Sequence, residues 1–263
     1  MKAIILAAGM GSRLGEHTKD KPKCLVPLNG KPLLEYQLEA LRTIVDEIVI
    51  VRGYMGESIK YPNVRYVDNP EYATTNMVGS LMAARSEFEG DCILGYSDIV
   101  YEPRILESMH DTKCSIGVTV DTDFRDYWEA RVGDIQNDSE SLQLGNDGKI
   151  IQLGDSKPLS TQMDARYVGL LKFNDEGTSA FKAVHDKHAQ EQSGKNERWY
   201  NSKSFKQAYM TDMIQAIIDE KVDVDAIKVQ RGWVEMDTEE DFRLYHEWIR
   251  NGMMRKFCDL FGN

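Results

Sequence analysis

The 263-residue chain can bury a substantial core, its 41% apolar content is ordinary, and no apolar run approaches the roughly 18 residues of a membrane span. Cys24, Cys92, Cys114 and Cys258 lie far apart without CxxC spacing, which argues against a zinc site or disulfide framework and suits a reducing cytoplasm. A net charge of −11 argues against a nucleic-acid partner held by phosphate neutralisation.

Met1-Lys2 runs straight into a short apolar stretch, which reads as a strand and not as a signal peptide. In chain order, β-rich runs then alternate with helical patterns. Lys2–Ala7 is the first expected strand. Pro32 opens a helix through Leu33, Leu34, Tyr36, Leu38 and Leu41, where its missing N–H does no harm. Strands follow at Glu47–Val51 and Val64–Val67, then a helix over Met77–Arg85 that Thr75 or Asn76 can cap. Cys92–Tyr96 is a fourth strand and Pro103–Met109 a short helix. Such alternation implies a mostly parallel sheet with helices on both faces. Ligands bind beyond the carboxyl ends of such strands, where Gly9–Arg13, Gly53-Tyr54 and Ser97-Asp98 fall.

The pattern changes after residue 115. Ser115–Val120, Glu129–Val132, Lys149–Leu153 and Arg166–Phe173 read as strands, an antiparallel section added to the parallel core. Helices are expected at about 175–190, 208–219 and 239–256, with strands at Val224–Val229 and Val234–Met236. Gln192–Lys206 is polar although it contains Trp199 and Tyr200, and reads as a mobile loop. His185 and His188 read as a solvated helix face. Phe242, Tyr245, Ile249 and Met253 form an apolar stripe on the last helix, which implies docking within the chain or a homodimer contact.

Charge is unevenly distributed. Residues 1–31 carry six bases against two acids, a local +4, and residues 211–241 carry ten acids against three bases, a local −7. A basic segment in an acidic chain suits a small polyanionic ligand. Within it, Leu6-Ala7-Ala8-Gly9-Met10-Gly11-Ser12-Arg13-Leu14 follows a strand. Glycines let backbone N–H groups approach phosphate oxygens, the small alanines leave room for a base and ribose, and Arg13 adds a charged fork. GxxxxGK[ST] is absent and GxGxxG fails at Leu14, so this is neither a P-loop nor a dinucleotide turn.

That run, followed by Lys21-Pro22-Lys23-Cys24-Leu25-Val26-Pro27, resembles the nucleotidylyltransferase family that makes NDP-sugars and CDP-alcohols. The resemblance implies a single α/β, Rossmann-like (GT-A-like) domain over 1–263. Within it, 1–112 is the NTP-binding core, 113–235 the acceptor-binding section and 236–263 a C-terminal helix. It also implies phosphate contacts from Arg13 and Lys23. Asn69-Pro70-Glu71-Tyr72, Asn76 and Ser80-Leu81 are similar to the base and ribose stretch of the small cytidylyltransferases acting on phosphocholine and related metabolites. Ser97-Asp98 and Trp233-Val234-Glu235-Met236-Asp237-Thr238 stand where the family holds its metal-binding aspartates. Thr75-Asn76-Met77-Val78 and Tyr209-Met210-Thr211-Asp212 also resemble a bacterial branch acting on phosphorylated amino-acid-type acceptors such as phosphoglutamine.

The implied catalytic set is Arg13, Lys23, Asp98 and Asp237, with Asp98 and Asp237 holding Mg²⁺. CTP is expected against Leu6, Ala7, Ala8, Gly9, Gly11, Ser12, Arg13, Lys23, Gly53, Tyr72, Asn76, Met77, Ser80 and Ser97. Candidate acceptor contacts are Tyr101, Glu129, Arg131, Gly169, Lys172, Trp233 and Glu235. Trp128, Trp199, Tyr200 and Trp233 raise the thought of a choline cage, but large aromatics are more often core and nothing in the sequence makes these converge. The expected reaction moves CMP from CTP to the phosphate or phosphonate of a small metabolite, in a monomer or homodimer in the cytoplasm. A sugar-1-phosphate nucleotidylyltransferase and an inactive nucleotide-sensing module are the alternatives. Ser97 where many sugar enzymes have Gly, and Gly15-Glu16-His17-Thr18 where they have Pro-Leu-Thr, count against the first.

Overall fold

A computed structural model describes residues 1–136 and 140–260. Residues 137–139 of the expected acceptor section and 261–263 of the expected C-terminal segment lie outside the described residues. The first strand, β1 (Lys2–Ala7), leads through a turn and short 3₁₀ segments to the hairpin of β2 (Pro27–Leu28) and β3 (Lys31–Pro32). Then come α1 (Leu33–Leu41), β4 (Glu47–Arg52), β5 (Arg65–Asp68), α2 (Met77–Ala83), β6 (Cys92–Tyr96), β7 (Ile99–Tyr101) and α3 (Pro103–Asp111). The second half holds β8 (Ile116–Asp121), α4 (Arg125–Val132), β9 (Leu142–Leu144), β10 (Ile150–Leu153), β11 (Arg166–Phe173) and α5 (Asp175–Glu191). It finishes with α6 (Met210–Asp219), β12 (Asp225–Val229), β13 (Trp233–Glu235) and α7 (Glu239–Asn251).

Among the described residues, seven strands form the main sheet in the order β12-β8-β11-β6-β1-β4-β5. β1 pairs in parallel with β4 and β6, and β12 in parallel with β8; β11 runs antiparallel between β6 and β8. The expected antiparallel section is therefore one reversed strand set into the sheet, together with the small pairs β9–β10 and β7–β13. Alternate side chains of β1 enter different cores. Ala3, Ile5 and Ala7 pack with residues of α1, α3, α4 and α7, whereas Ile4 and Leu6 pack with residues of α2, α5 and α6. Burial on both faces is why this strand reads as a continuous apolar run.

Two local expectations differ from what is found. Glu129–Val132 belongs to α4, not to a strand: Phe124, Tyr127 and Trp128 are all buried at the i, i+3, i+4 spacing of a helix. His185 and His188 are half-buried, their rings 5.3 Å from Phe205 and 5.4 Å from Trp199 respectively.

The chain leaves β1 toward β4 on one side and β6 on the other. The loops after those strands diverge there and open a cleft, the general ligand position in such sheets.

Candidate active site

The turn after β1 is shaped by contacts a larger residue would break. Gly11 has φ +62°, and a Cβ there would stand 2.8 Å from Lys23 Cβ. Thr18 Oγ1 donates to the Gly11 carbonyl at 3.0 Å, and Tyr54 N–H donates to the Ala8 carbonyl at 3.0 Å. Gly53 permits that second contact, since a Cβ on it would lie 2.6 Å from the Ala8 oxygen.

Asp98 follows β6 in a turn held from below by Gln37, whose Nε2 donates to the carbonyls of Tyr96 (3.0 Å) and Ile99 (2.6 Å). Asp237 follows β13, and Met236 N–H donates to the Asp98 carbonyl at 2.9 Å. Met236 and Asp98, 138 positions apart in the chain, are thereby joined backbone to backbone.

Lys23 lies between the two carboxylates, with Nζ 2.6 Å from Asp98 Oδ2 and also bonded to Asp237 Oδ1. Arg13 Nη2 reaches the other Asp237 oxygen at 2.7 Å. Burial opposes the Lys23 charge, but the facing Asp98 and Asp237 carboxylates outweigh it and hold the ammonium above its ordinary range. Burial likewise opposes the Asp237 charge, and Lys23 and Arg13 hold that carboxyl below its usual value.

Two adjoining cavities open over this cluster. The first, of about 360 Å³, is floored by Leu6, Ala8, Gly9, Gly11 and Ser12. Tyr72, Asn76, Met77 and Ser80 form one side, and Lys23, Ser97, Asp98 and Asp237 the other. Asn69 braces the Tyr72 side: its Nδ2 donates to Thr75 Oγ1 at 3.0 Å and to Ser80 Oγ at 3.1 Å. The second cavity, of about 500 Å³, shares Arg13, Met77, Tyr96, Tyr209, Glu235 and Asp237 with the first. Gln136, Glu140, Arg166, Tyr167, Gly169 and Asn201 extend it. Gly169 (φ +86°) sits at a β-bulge of β11, and a Cβ on it would press to 3.0 Å of the Tyr96 ring.

Nearly all the residues expected around the nucleotide meet at the first cavity. Ala7 and Gly53 stand behind it, Ala7 buried in β1 and Gly53 against Ala8. Of the expected acceptor residues, Gly169 and Glu235 line the second cavity and five do not. Lys172 points to the opposite end of the sheet, where Nζ donates to the carbonyls of Met109, His110 and Thr112 at 2.7, 2.9 and 2.7 Å. It caps the C-terminal end of α3, where a cation is favoured. Tyr101 is buried in the core, and Trp233 is buried with Nε1 donating to Asp121 at 2.9 Å. Glu129 is exposed on α4.

Arg131 lies one layer behind the cavity, its side chain 2% exposed. Its Nη1 donates to Glu235 at 2.7 Å, while Nε and Nη2 grip Asp241 at 2.7 and 2.9 Å. Asp241 Oδ2 in turn accepts the backbone N–H groups of Asp237 (2.8 Å) and Thr238 (2.9 Å). Tyr127 OH accepts Glu235 N–H at 3.0 Å, and Tyr245 OH donates to the Glu235 carbonyl at 2.7 Å. Every backbone step from Glu235 to Asp237 is thus fixed.

Sequence reasoning did not single out Gln37, Asp241, Tyr96, Glu140, Arg166, Tyr167 or Asn201. One had a signal: Thr238-x-x-Asp241 before an amphipathic run is a capping-box pattern, and both of its bonds are present. Gln37 is buried on α1 beneath the Asp98 turn, and the others face the cleft from β6, the reversed strand and the loops, which leave no spacing to read.

A glycine-containing turn after the first strand thus stands opposite two aspartates that share a lysine, the arrangement expected of a nucleotidyltransferase. The family model described as the MobA-like NTP transferase domain matches residues 3–122. The chain is 32% identical over 259 residues to CTP:phosphoglutamine cytidylyltransferase of Campylobacter jejuni, covering 94% of this chain and all of that one. It is 39% identical over 107 residues to choline-phosphate cytidylyltransferase of Streptococcus pneumoniae, covering 39% of this chain and 47% of that one. The solved structure of CTP:phosphocholine cytidylyltransferase from Streptococcus pneumoniae superposes with a TM-score of 0.70 at 26% identity, over 94% of this chain and 97% of that one. The chain belongs to this nucleotidyltransferase family and is an enzyme of that class. Among the described residues, no helix is long and apolar enough to cross a membrane.

Proposed function

We propose that the enzyme transfers CMP from CTP to the phosphate or phosphonate of a small metabolite and releases pyrophosphate. The observation that carries this reading is the shared wall of the two cavities. Arg13, Glu235 and Asp237 stand where a nucleotide in the first cavity would meet an acceptor in the second. The cytidylyltransferase names of the whole-length relative and of the superposed enzyme support CTP as the donor.

In the reaction an acceptor phosphate oxygen forms a bond to the α-phosphorus. The bond from that phosphorus to the bridging oxygen breaks, and its electron pair leaves with pyrophosphate. Such chemistry needs positioning and charge neutralisation more than covalent catalysis. Gly9, Gly11 and Ser12 offer backbone N–H groups to the triphosphate, and Lys23 and Arg13 meet the charge that grows on it. Leu6, Ala8, Tyr72, Asn76, Met77 and Ser80 enclose the base and ribose.

Asp98 and Asp237 fit Mg²⁺, because their carboxylates converge closely enough to share one ammonium and offer hard oxygens. Among the described residues no third His, Cys, Asp or Glu joins them, which suits an ion that takes one or two carboxylates and completes its shell with phosphate and water. Such an ion supplies charge neutralisation at the phosphates.

A pyrophosphate-release assay over four nucleoside triphosphates and a panel of phosphorylated amines, amino acids, polyols and glucose-1-phosphate tests the proposal. The expected outcome is Mg²⁺-dependent turnover with CTP and a phosphorylated amine or amino acid. Faster turnover of glucose-1-phosphate with UTP or dTTP would overturn it in favour of NDP-sugar synthesis.

A further inference from the structure

Residues 199–209 close one side of the second cavity, and one buried carboxylate dictates their path. Asp212, in the first turn of α6, is 1% exposed. It accepts the backbone N–H groups of Asn201 (3.1 Å) and Ser202 (2.8 Å), Asn201 Nδ2 (3.2 Å) and the Ser202 hydroxyl. Ser202 Oγ accepts Tyr209 N–H at 2.8 Å. A carboxylate with that many donors is well satisfied although buried, and it ties both cavity-lining residues, Asn201 and Tyr209, to one helix. The stretch expected to be a mobile loop is thus pinned at its centre.

The Asn201 side chain is oriented as a consequence. Its Nδ2 donates to the Gly154 carbonyl at 2.8 Å as well as to Asp212, which commits both N–H bonds. Turned end for end, the amide would set its oxygen against a carbonyl and a carboxylate, so the hydrogen-bond chemistry fixes the assignment. Oδ1 is the amide atom that these bonds do not commit, on a residue that lines the second cavity. Ser156 Oγ and Arg198 Nη2 approach Oδ1 only to 3.5 Å, the outer limit of a hydrogen bond, and a ligand donor can approach more closely. Glu140 and Glu235 add carboxylate oxygens to the same cavity.

We propose that Asn201 selects the acceptor: its Oδ1, aimed by Asp212 and the Gly154 carbonyl, accepts a hydrogen bond from an N–H of the phosphorylated substrate. The preferred class therefore carries a primary ammonium or amide group, not a quaternary ammonium. This rests on the reading that the second cavity holds the acceptor. Asn201 touches the substrate, and Asp212 is a positioning residue. A site built around a hydrogen bond rejects the analogue that lacks the donor, because its own polar atom is left unpaired.

The test compares phosphoethanolamine, its N,N-dimethyl derivative and phosphocholine, which share the spacer and the phosphate. Only the last has no N–H. Each is measured as kcat/KM, or as an inhibition constant against the best acceptor where it does not turn over. The expected result is a step of about tenfold or more between the dimethyl and trimethyl compounds. Asn201→Leu should shrink that step to about threefold or less while KM for CTP stays unchanged. Asp212→Asn should raise the acceptor KM far more than it lowers kcat, whereas a merely structural role would move both substrates' KM values together. A wild-type enzyme that takes phosphocholine as well as the dimethyl compound, or an Asn201→Leu variant that keeps the full step, would overturn the proposal. CTP-dependent turnover leaves the cytidylyltransferase reading standing whichever way this ratio falls. If no acceptor turns over, that reading fails, and calorimetric binding of the three compounds in the presence of CTP decides the preference.

Discussion

Lys23 is the residue on which the site turns. It separates two carboxylates that would otherwise face one another, and its charge is held in place by them. Lys23→Met should lower kcat on the order of 10²–10³-fold, as loss of one preorganised charge donor does elsewhere, read as pyrophosphate release at saturating CTP. Activity within threefold of wild type would remove Lys23 from the chemistry. Gly11→Ala should act on the same group from the floor of the first cavity, since the new methyl would meet Lys23 Cβ and the backbone is left-handed there. At this scale the lining of the first cavity was legible because glycines, small residues and bases sit together in one turn. That of the second cavity was not. Lys172 could be placed on a strand, but the end of the sheet it reaches depended on the register of β11 between β6 and β8, which periodicity does not reveal.

The junction of β13 and α7 carries the second aspartate as a rigid unit, and Arg131 is its hub. Arg131→Met would leave Asp241 buried without its cation and remove one of the two cations that act on Glu235. The expected cost is about 3–5 kcal/mol of stability, measurable as a fall in the urea midpoint. A change under 1 kcal/mol would mean that solvent reaches these groups.

Asp241 also sets a pH dependence. Burial opposes its charge, but Arg131 and two backbone N–H groups outweigh that and hold its carboxyl below the usual 3.8. Its contribution to stability is therefore complete above the unfolded value and is lost as pH falls through it toward the lower folded value. Asp241→Asn should flatten the acid limb of the stability curve below about pH 4; an unchanged limb would assign acid unfolding to other groups. The elements themselves were read well where periodicity was sustained, as over β6 and β11. The reading lost α4 because a four-residue window over Glu129–Val132 hid the helical spacing of Phe124, Tyr127 and Trp128.

Across the whole molecule, Lys172 serves stability at the end of the sheet opposite the cleft. The cleft opens at the carboxyl ends of β1 and β6, and Lys172 holds the C-terminal end of α3 at the other end. Lys172→Met should cost about 1.5–3 kcal/mol in a denaturant titration and leave kcat/KM for both substrates unaltered. A selective rise in acceptor KM would contradict that separation.

The parallel order around β1 follows from its two-sided burial and was within reach of the sequence. The antiparallel direction expected for Arg166–Phe173 is found in β11, but its place within the main sheet between β6 and β8 depends on pairing between distant segments, which no local pattern encodes. The most direct test of the central claim is the product itself, followed by ³¹P NMR in a mixture of enzyme, CTP, Mg²⁺ and phosphoethanolamine. The expected spectrum gains the two coupled resonances of a CDP-linked diphosphate together with one equivalent of pyrophosphate. Pyrophosphate or inorganic phosphate appearing without a new diphosphate linkage, or a linkage formed only with glucose-1-phosphate, would contradict it.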